Sequence, residues 1–123
     1  MTAPDPPRAA ELWQRGIAQF NRGEFFESHE SWEEIWLAAP EPDKTFLQGL
    51  IQVAAAFHHY RRSNLAGARS LLAEGLGKLE RFPADYRGIA LESLRASARE
   101  WSEAFASGTP PPRRQLPQIR KSG

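Results

Sequence analysis

The hydrophobic positions of this chain recur at helical spacing along most of its length. Leu12, Trp13, Ile17 and Phe20 share one face, which predicts a first helix from Arg8 that Asn21-Arg22-Gly23 closes. A second helix is predicted from Glu24 to Ala38, ended by Pro40 and Pro42. Asp43 reads as the N-cap of a third, Lys44 to Arg62, with Phe46, Leu50, Val53, Phe57 and Tyr60 as its apolar face. Asn64 caps a fourth, Leu65 to Arg81, whose buried face is Leu65, Ala68, Leu72, Leu76 and Leu79. Phe82-Pro83 breaks the pattern, and Asp85-Tyr86-Arg87-Gly88 reads as a turn. A fifth helix follows from Ile89 to Ala106, with Leu91, Leu94, Ala98, Trp101 and Phe105 on one face and Ser107-Gly108 as its stop. The pattern offers no strand and no internal repeat.

The expected fold is therefore all-α: a single-domain bundle of about five helices, built from antiparallel helical hairpins because the connections are short. Its organisation reads as a flexible N-terminal lead-in over 1–7, the helical domain over 8–108 and a Pro-rich basic tail over 109–123. Leu116 and Ile119 are candidates for anchoring the tail, and a solvated tail is the expectation. Gly67, Gly75 and Gly77 lie inside the fourth helix, where each costs about 1 kcal/mol against alanine. Glycines retained at that cost predict a close helix approach or a kink, and Gly49 and Ala56 on the third helix are small in the same way.

Composition narrows the class. A length of 123 residues with 41% hydrophobic and 25% charged residues suits one globular domain. There is no cysteine, which removes disulfides and thiolate chemistry. No apolar run suits a membrane span or a signal peptide, so the expectation is a cytoplasmic protein with no membrane partner. The net charge of +1 conceals a tail with Arg113, Arg114, Arg120 and Lys121 and no acid, on a mildly acidic body. An acidic body makes nucleic acid an improbable partner.

The candidate chemistry lies in Phe20 to Trp36 and in Phe46 to Tyr60. On a helix from Glu24, Phe25, His29, Trp32 and Trp36 share one stripe; Phe26, Glu30, Glu33 and Leu37 share the next. Glu27, Ser31 and Glu34 point to solvent. Gln48, Gln52 and His59 form a polar stripe on the third helix, with Ala55 between, and His58 points elsewhere. Consecutive antiparallel helices are expected to bring His29, Glu30 and Glu33 against Gln48, Gln52 and His59, with Phe25, Phe26, Trp32 and Trp36 as pocket walls.

Three readings stay open. The group is a structural network that fixes helix register. Or it is a metal or catalytic site, with His29, Glu33 and His59 as ligands of a divalent metal. Or it is the polar floor of a small-molecule or peptide pocket. The zinc motif His-Glu-x-x-His is broken, because Glu33 stands where the second histidine belongs.

Three stretches carry a family resemblance. They are Phe20-x-x-Gly23-Glu24-Phe25-Phe26-Glu27-x-His29-Glu30-x-Trp32-Glu33-x-x-Trp36; Phe46-Leu47-Gln48-Gly49-Leu50-Ile51-Gln52 with Ala54-Ala55-Ala56 and His59; and Asn64-x-x-Gly67-Ala68, continuing to Tyr86-Arg87-Gly88-Ile89. The chain resembles the small all-helical bacterial and archaeal proteins of the domain of unknown function DUF309. The resemblance implies helical hairpins packed somewhat like tetratricopeptide repeats. It implies no activity, substrate or cofactor. The functional expectation is a non-enzymatic interaction or scaffold module with a structural His/Glu/Gln network. The alternative is a small metal-binding protein or hydrolase-like enzyme built on the same cluster. No cofactor beyond such a metal is expected. A homodimer, an unidentified protein or a small molecule is the expected partner.

Overall fold

The computed structural model describes residues 3–108 and 115–123. Five helices dominate it: α1 (Pro6–Asn21), α2 (Phe25–Trp36), α3 (Asp43–Arg61), α4 (Leu65–Leu79) and α5 (Leu91–Ser107). Each packs on the next in sequence. The all-α expectation holds, with one addition. A two-residue hairpin, β1 (Asp85–Tyr86) and β2 (Ile89–Ala90), precedes α5 where the pattern offered no strand. Arg87 and Gly88 both take positive φ, 49° and 79°, as a tight two-residue hairpin turn requires.

Helix starts follow local chemistry. α1 begins at Pro6, inside the expected lead-in, because Asp5 accepts a hydrogen bond from the Arg8 amide at 2.9 Å and two prolines occupy the first turn. Asn64 caps α4 as expected, its Oδ1 accepting from Gly67 N at 3.0 Å. Asp43 does not cap α3. Glu41 accepts from the Thr45 amide and hydroxyl, both at 2.8 Å, while Asp43 accepts from the Tyr86 hydroxyl at 2.7 Å. Burial pushes the Tyr86 hydroxyl pKa up less than this bond to Asp43 does.

The core draws on all five helices, and a chain of rings links four of them, α1, α2, α3 and α5. Trp32 is fully buried, with its ring centroid 6.1 Å from Trp13 and 6.0 Å from Phe20. Phe57 on α3 stands 5.5 Å from Phe25 and 5.3 Å from Trp101 on α5. The buried face of α2 is Phe25, Ser28, Ser31, Trp32 and Ile35, turned from the expected one. Ser31 was expected in solvent. It is buried because α1 lies close: Ser28 Oγ donates to Gly16 O at 2.9 Å and Ser31 Oγ to Gln19 Oε1 at 2.7 Å.

The small-residue reading holds at one crossing. A β-carbon on Gly75 would stand 2.7 Å from Gly49 O, so α3 and α4 meet backbone to backbone. A β-carbon on Gly77 would meet nothing within 4 Å. Gly77→Ala is therefore expected to raise stability by about 0.5–1 kcal/mol through propensity alone. Gly75→Ala is expected to lower it by about 1–3 kcal/mol, because a backbone carbonyl has to move. Urea midpoints of the two variants check this pair, and equal shifts would contradict the close crossing.

Residues 115–123 are docked, not solvated. Ile119 is 3% exposed, and Lys121 bridges to Ile89 in antiparallel sense. Leu116 packs against the core more loosely. The Pro110-Pro111-Pro112 run, expected to be extended, lies outside the described residues, as do Arg113 and Arg114.

Candidate functional site

The six polar residues do not converge. His29 Nε2 and a Glu33 carboxylate oxygen are 3.1 Å apart, one turn along α2. The other ring nitrogen of His29 is Nδ1. That Nδ1 is buried and has no hydrogen-bond partner among the described residues. Glu30 is exposed. Gln52 turns to α4: its Nε2 donates to Glu74 at 3.1 Å and its Oε1 accepts from Lys78 at 2.9 Å. Gln48 is half-buried farther along α3. His59 Nδ1 lies 3.0 Å from the Asn64 amide nitrogen at the start of α4.

The cause is face, not level. Gln48, Gln52, Ala55 and His59 do share a stripe of α3. But that stripe turns toward α4, where Gln52 meets Glu74 and Lys78 and His59 meets Asn64, although Gln52 lies only three residues, about 4.5 Å along the axis, from the Ala55 that lines one cavity with His29. Among the described residues, no group of three or more His, Asp or Glu is arranged to hold a metal ion. His29, Glu33 and His59 form no such group among the described residues.

The four aromatic walls also separate. Phe25 and Trp32 are core, at 2% and 0% exposure. Trp36 is half-buried, with Lys44 Nζ 4.8 Å above its ring and its own Nε1 buried without a partner among the described residues. Phe26 lines a surface cavity. That cavity, about 170 Å³, is walled by Phe26, His29, Ala55, His58 and His59. The Phe26 ring centroid is 5.3 Å from His58 and 6.0 Å from His29.

His58 was expected away from this group. α2 starts where α3 ends, so Phe26 leans over the last turn of α3 and reaches it. The large hydrophobics that stay exposed among the described residues are Phe26 at 47%, on α2, and Leu37 at 46%, at its C-cap. Their spacing of eleven residues, three helical turns, is the sequence signal that sets them on one line with Glu30 and Glu33.

Burial lowers the His58 pKa from its ordinary value, and the Arg62 guanidinium and the neighbouring His59 and His29 rings add to this against a contrary pull from Glu27. His58 is therefore neutral at pH 7, and the face around Phe26 is apolar there. For a base with a depressed folded pKa, the unfolded chain takes up protons first as pH falls. Stability is expected to drop as pH falls below about 6.5, the ordinary histidine value, toward the lower folded value. His58→Phe should flatten that part of a stability–pH profile, and an unchanged slope would contradict the assignment.

No described helix is long and apolar enough to cross a membrane. A family model described as Domain of unknown function (DUF309) matches residues 13–71. An uncharacterized protein of Aquifex aeolicus (strain VF5) is 32% identical over 105 residues, covering 85% of this chain and 32% of that protein. The uncharacterized protein YpuF of Bacillus subtilis (strain 168) is 39% identical over 67 residues, covering 54% of this chain and 37% of YpuF. The chain spans about a third of the length of these curated relatives. The matched stretch runs from α1 into α4 and contains Gly23, the aromatic and glutamate run of α2, and all of α3, so residues 13–71 belong to the DUF309 family.

Proposed function

We propose that this chain is a non-enzymatic helical interaction module, and that the outer face of α2 docks a basic amphipathic helix. The observation that carries this is the line Phe26, Glu30, Glu33, Leu37: two exposed hydrophobics three turns apart with carboxylates between them. Such a line matches the way a partner helix presents anchors along one face. Phe26 is supported from behind by His58, so it offers a firm apolar surface rather than a loose side chain.

The charges select the partner. A second copy brought onto this stripe by a two-fold axis would set Glu30 and Glu33 against their own copies, and like charges across an interface oppose binding. Lysine or arginine between two apolar anchors is the complement. The hydrogen-bonding side chains favour a module over an enzyme. His29, Gln52 and His59 are engaged in three separate local pairings, and the free His29 nitrogen is shut off from solvent. In both relatives the matching region is a minor part of a longer chain, the setting of a module within a larger protein.

The test is fluorescence anisotropy with a labelled synthetic helix of about fifteen residues that carries leucines three turns apart and lysines between them. Wild type is expected to bind it. Phe26→Ala should weaken binding about tenfold or more, the loss of a central anchor. The same helix with glutamates in place of the lysines should not bind. Equal binding by wild type and Phe26→Ala would defeat the proposal.

A further inference from the structure

Residues 115–123 are held as a bound peptide is held. Five hydrogen bonds reach their main chain. Asn21 at the end of α1 reads Ile119 in both directions: its Nδ2 donates to Ile119 O at 2.8 Å and its Oδ1 accepts from Ile119 N at 2.7 Å. The hairpin adds Ala90 N to Arg120 O at 2.8 Å and Ser122 N to Gly88 O at 3.0 Å. The Trp101 indole donates to Gln115 O at 3.1 Å. Only two side chains of the segment are buried, Pro117 and Ile119. Main-chain pairing for affinity and a few buried side chains for selectivity are the marks of strand addition to a sheet edge.

The seat is also incomplete. A cavity of about 290 Å³ remains between Ser93 and Ser97 of α5 and Gln115, Gln118 and Arg120 of the segment. Every group that reads the segment sits on the helical body or the hairpin, and the segment joins that body only through residues 109–114, three of them proline.

The geometry points to a strand-accepting site, made by Asn21, the 85–90 hairpin and Trp101, that takes an extended Pro-x-Ile segment and can take it from a second copy of this chain. The second copy is the committed occupant because its own 115–123 carries the chemistry already seen in the seat. Exchange of an identical element is a low-cost route to a dimer. This site is separate from the α2 face, and neither depends on the other.

Two full-length variants test it by complementation. Asn21→Ala keeps the segment and damages the seat; Ile119→Asp keeps the seat and damages the segment. In analytical ultracentrifugation each alone is expected to sediment as a monomer, and an equal mixture to form a heterodimer with one restored seat. A mixture that sediments as two monomers, with both variants retaining wild-type helical circular dichroism, would overturn the inference. If either variant loses that signal, full-length Ile119→Ala takes its place with a labelled peptide of residues 115–123. Binding about tenfold tighter than to wild type, where the tethered segment competes, supports the site. Binding no tighter than to wild type overturns it.

Discussion

Trp32→Ala is expected to cost about 3–5 kcal/mol, the largest single effect in the molecule. Against a typical domain stability of about 5–15 kcal/mol, that leaves a marginal fold or none. The indole is 0% exposed, packs between Trp13 and Phe20, and directs its Nε1 toward Trp13 O at 3.4 Å. Truncation therefore opens a void against Trp13, Gly16 and Phe20 of α1. Gly16 sharpens the test. A β-carbon there would enter the Trp32 ring, within 2.6 Å of Cε2, so Gly16→Ala alone should cost about 1–3 kcal/mol by overpacking. In the Trp32→Ala background the same methyl has room. The double variant is expected to be less damaged than the sum, with a coupling of about 1–3 kcal/mol in urea denaturation. Strict additivity would mean that the indole does not rest on Gly16.

Arg95→Met is the second large effect. Arg95 is 5% exposed, and its Nη1 donates to Leu79 O at 2.7 Å and to Phe82 O at 2.6 Å. These carbonyls lie at the end of α4 and just beyond it, where helix geometry leaves acceptors without partners. Its Nε donates to Glu92 at 2.9 Å, and Glu92 also receives Arg99, which bridges to Glu80. Methionine fills much of the volume but strands two carbonyls in a closed space. Each buried unpaired acceptor costs about 1–3 kcal/mol, so a loss of about 3 kcal/mol is expected. Arg95→Lys should recover only part of it, because one ammonium on a shorter reach cannot serve both carbonyls and Glu92 together. Chemical denaturation of the two variants checks the order Met below Lys below wild type. A loss under about 1 kcal/mol for Arg95→Met would show that water or another donor serves the carbonyls.

What was legible in the sequence was local. Gly23 at φ 78° and Gly108 at φ 76° close α1 and α5 because a left-handed stop is written in one residue. Asn64 caps α4 for the same reason, and Leu72 and Leu79 are buried because periodicity alone sets a helix face. What was not legible depended on which neighbour a stripe faces and on distant partners. The polar stripe of α3 was drawn correctly, yet which neighbouring helix it faces follows from how α4 packs on α3. Facing α4 sends Gln52 to Lys78, while Phe26 of α2 meets His58. Ser31 read as polar and therefore outward; it is inward because α1 passes close at Gly16 and Gln19 and supplies its acceptor. The hairpin has two residues per strand, too few for a period, and its further partner lies some thirty residues on at Lys121.

The docking face on α2 is tested most directly by mapping amide shifts of the full chain during titration with the lysine-bearing synthetic helix. Shifts are expected along Phe26, Glu30, Glu33 and Leu37 and at His58 beneath them, and they should vanish in Phe26→Ala. Shifts centred on α4, α5 or residues 115–123, with α2 unmoved, would contradict the assignment of that face.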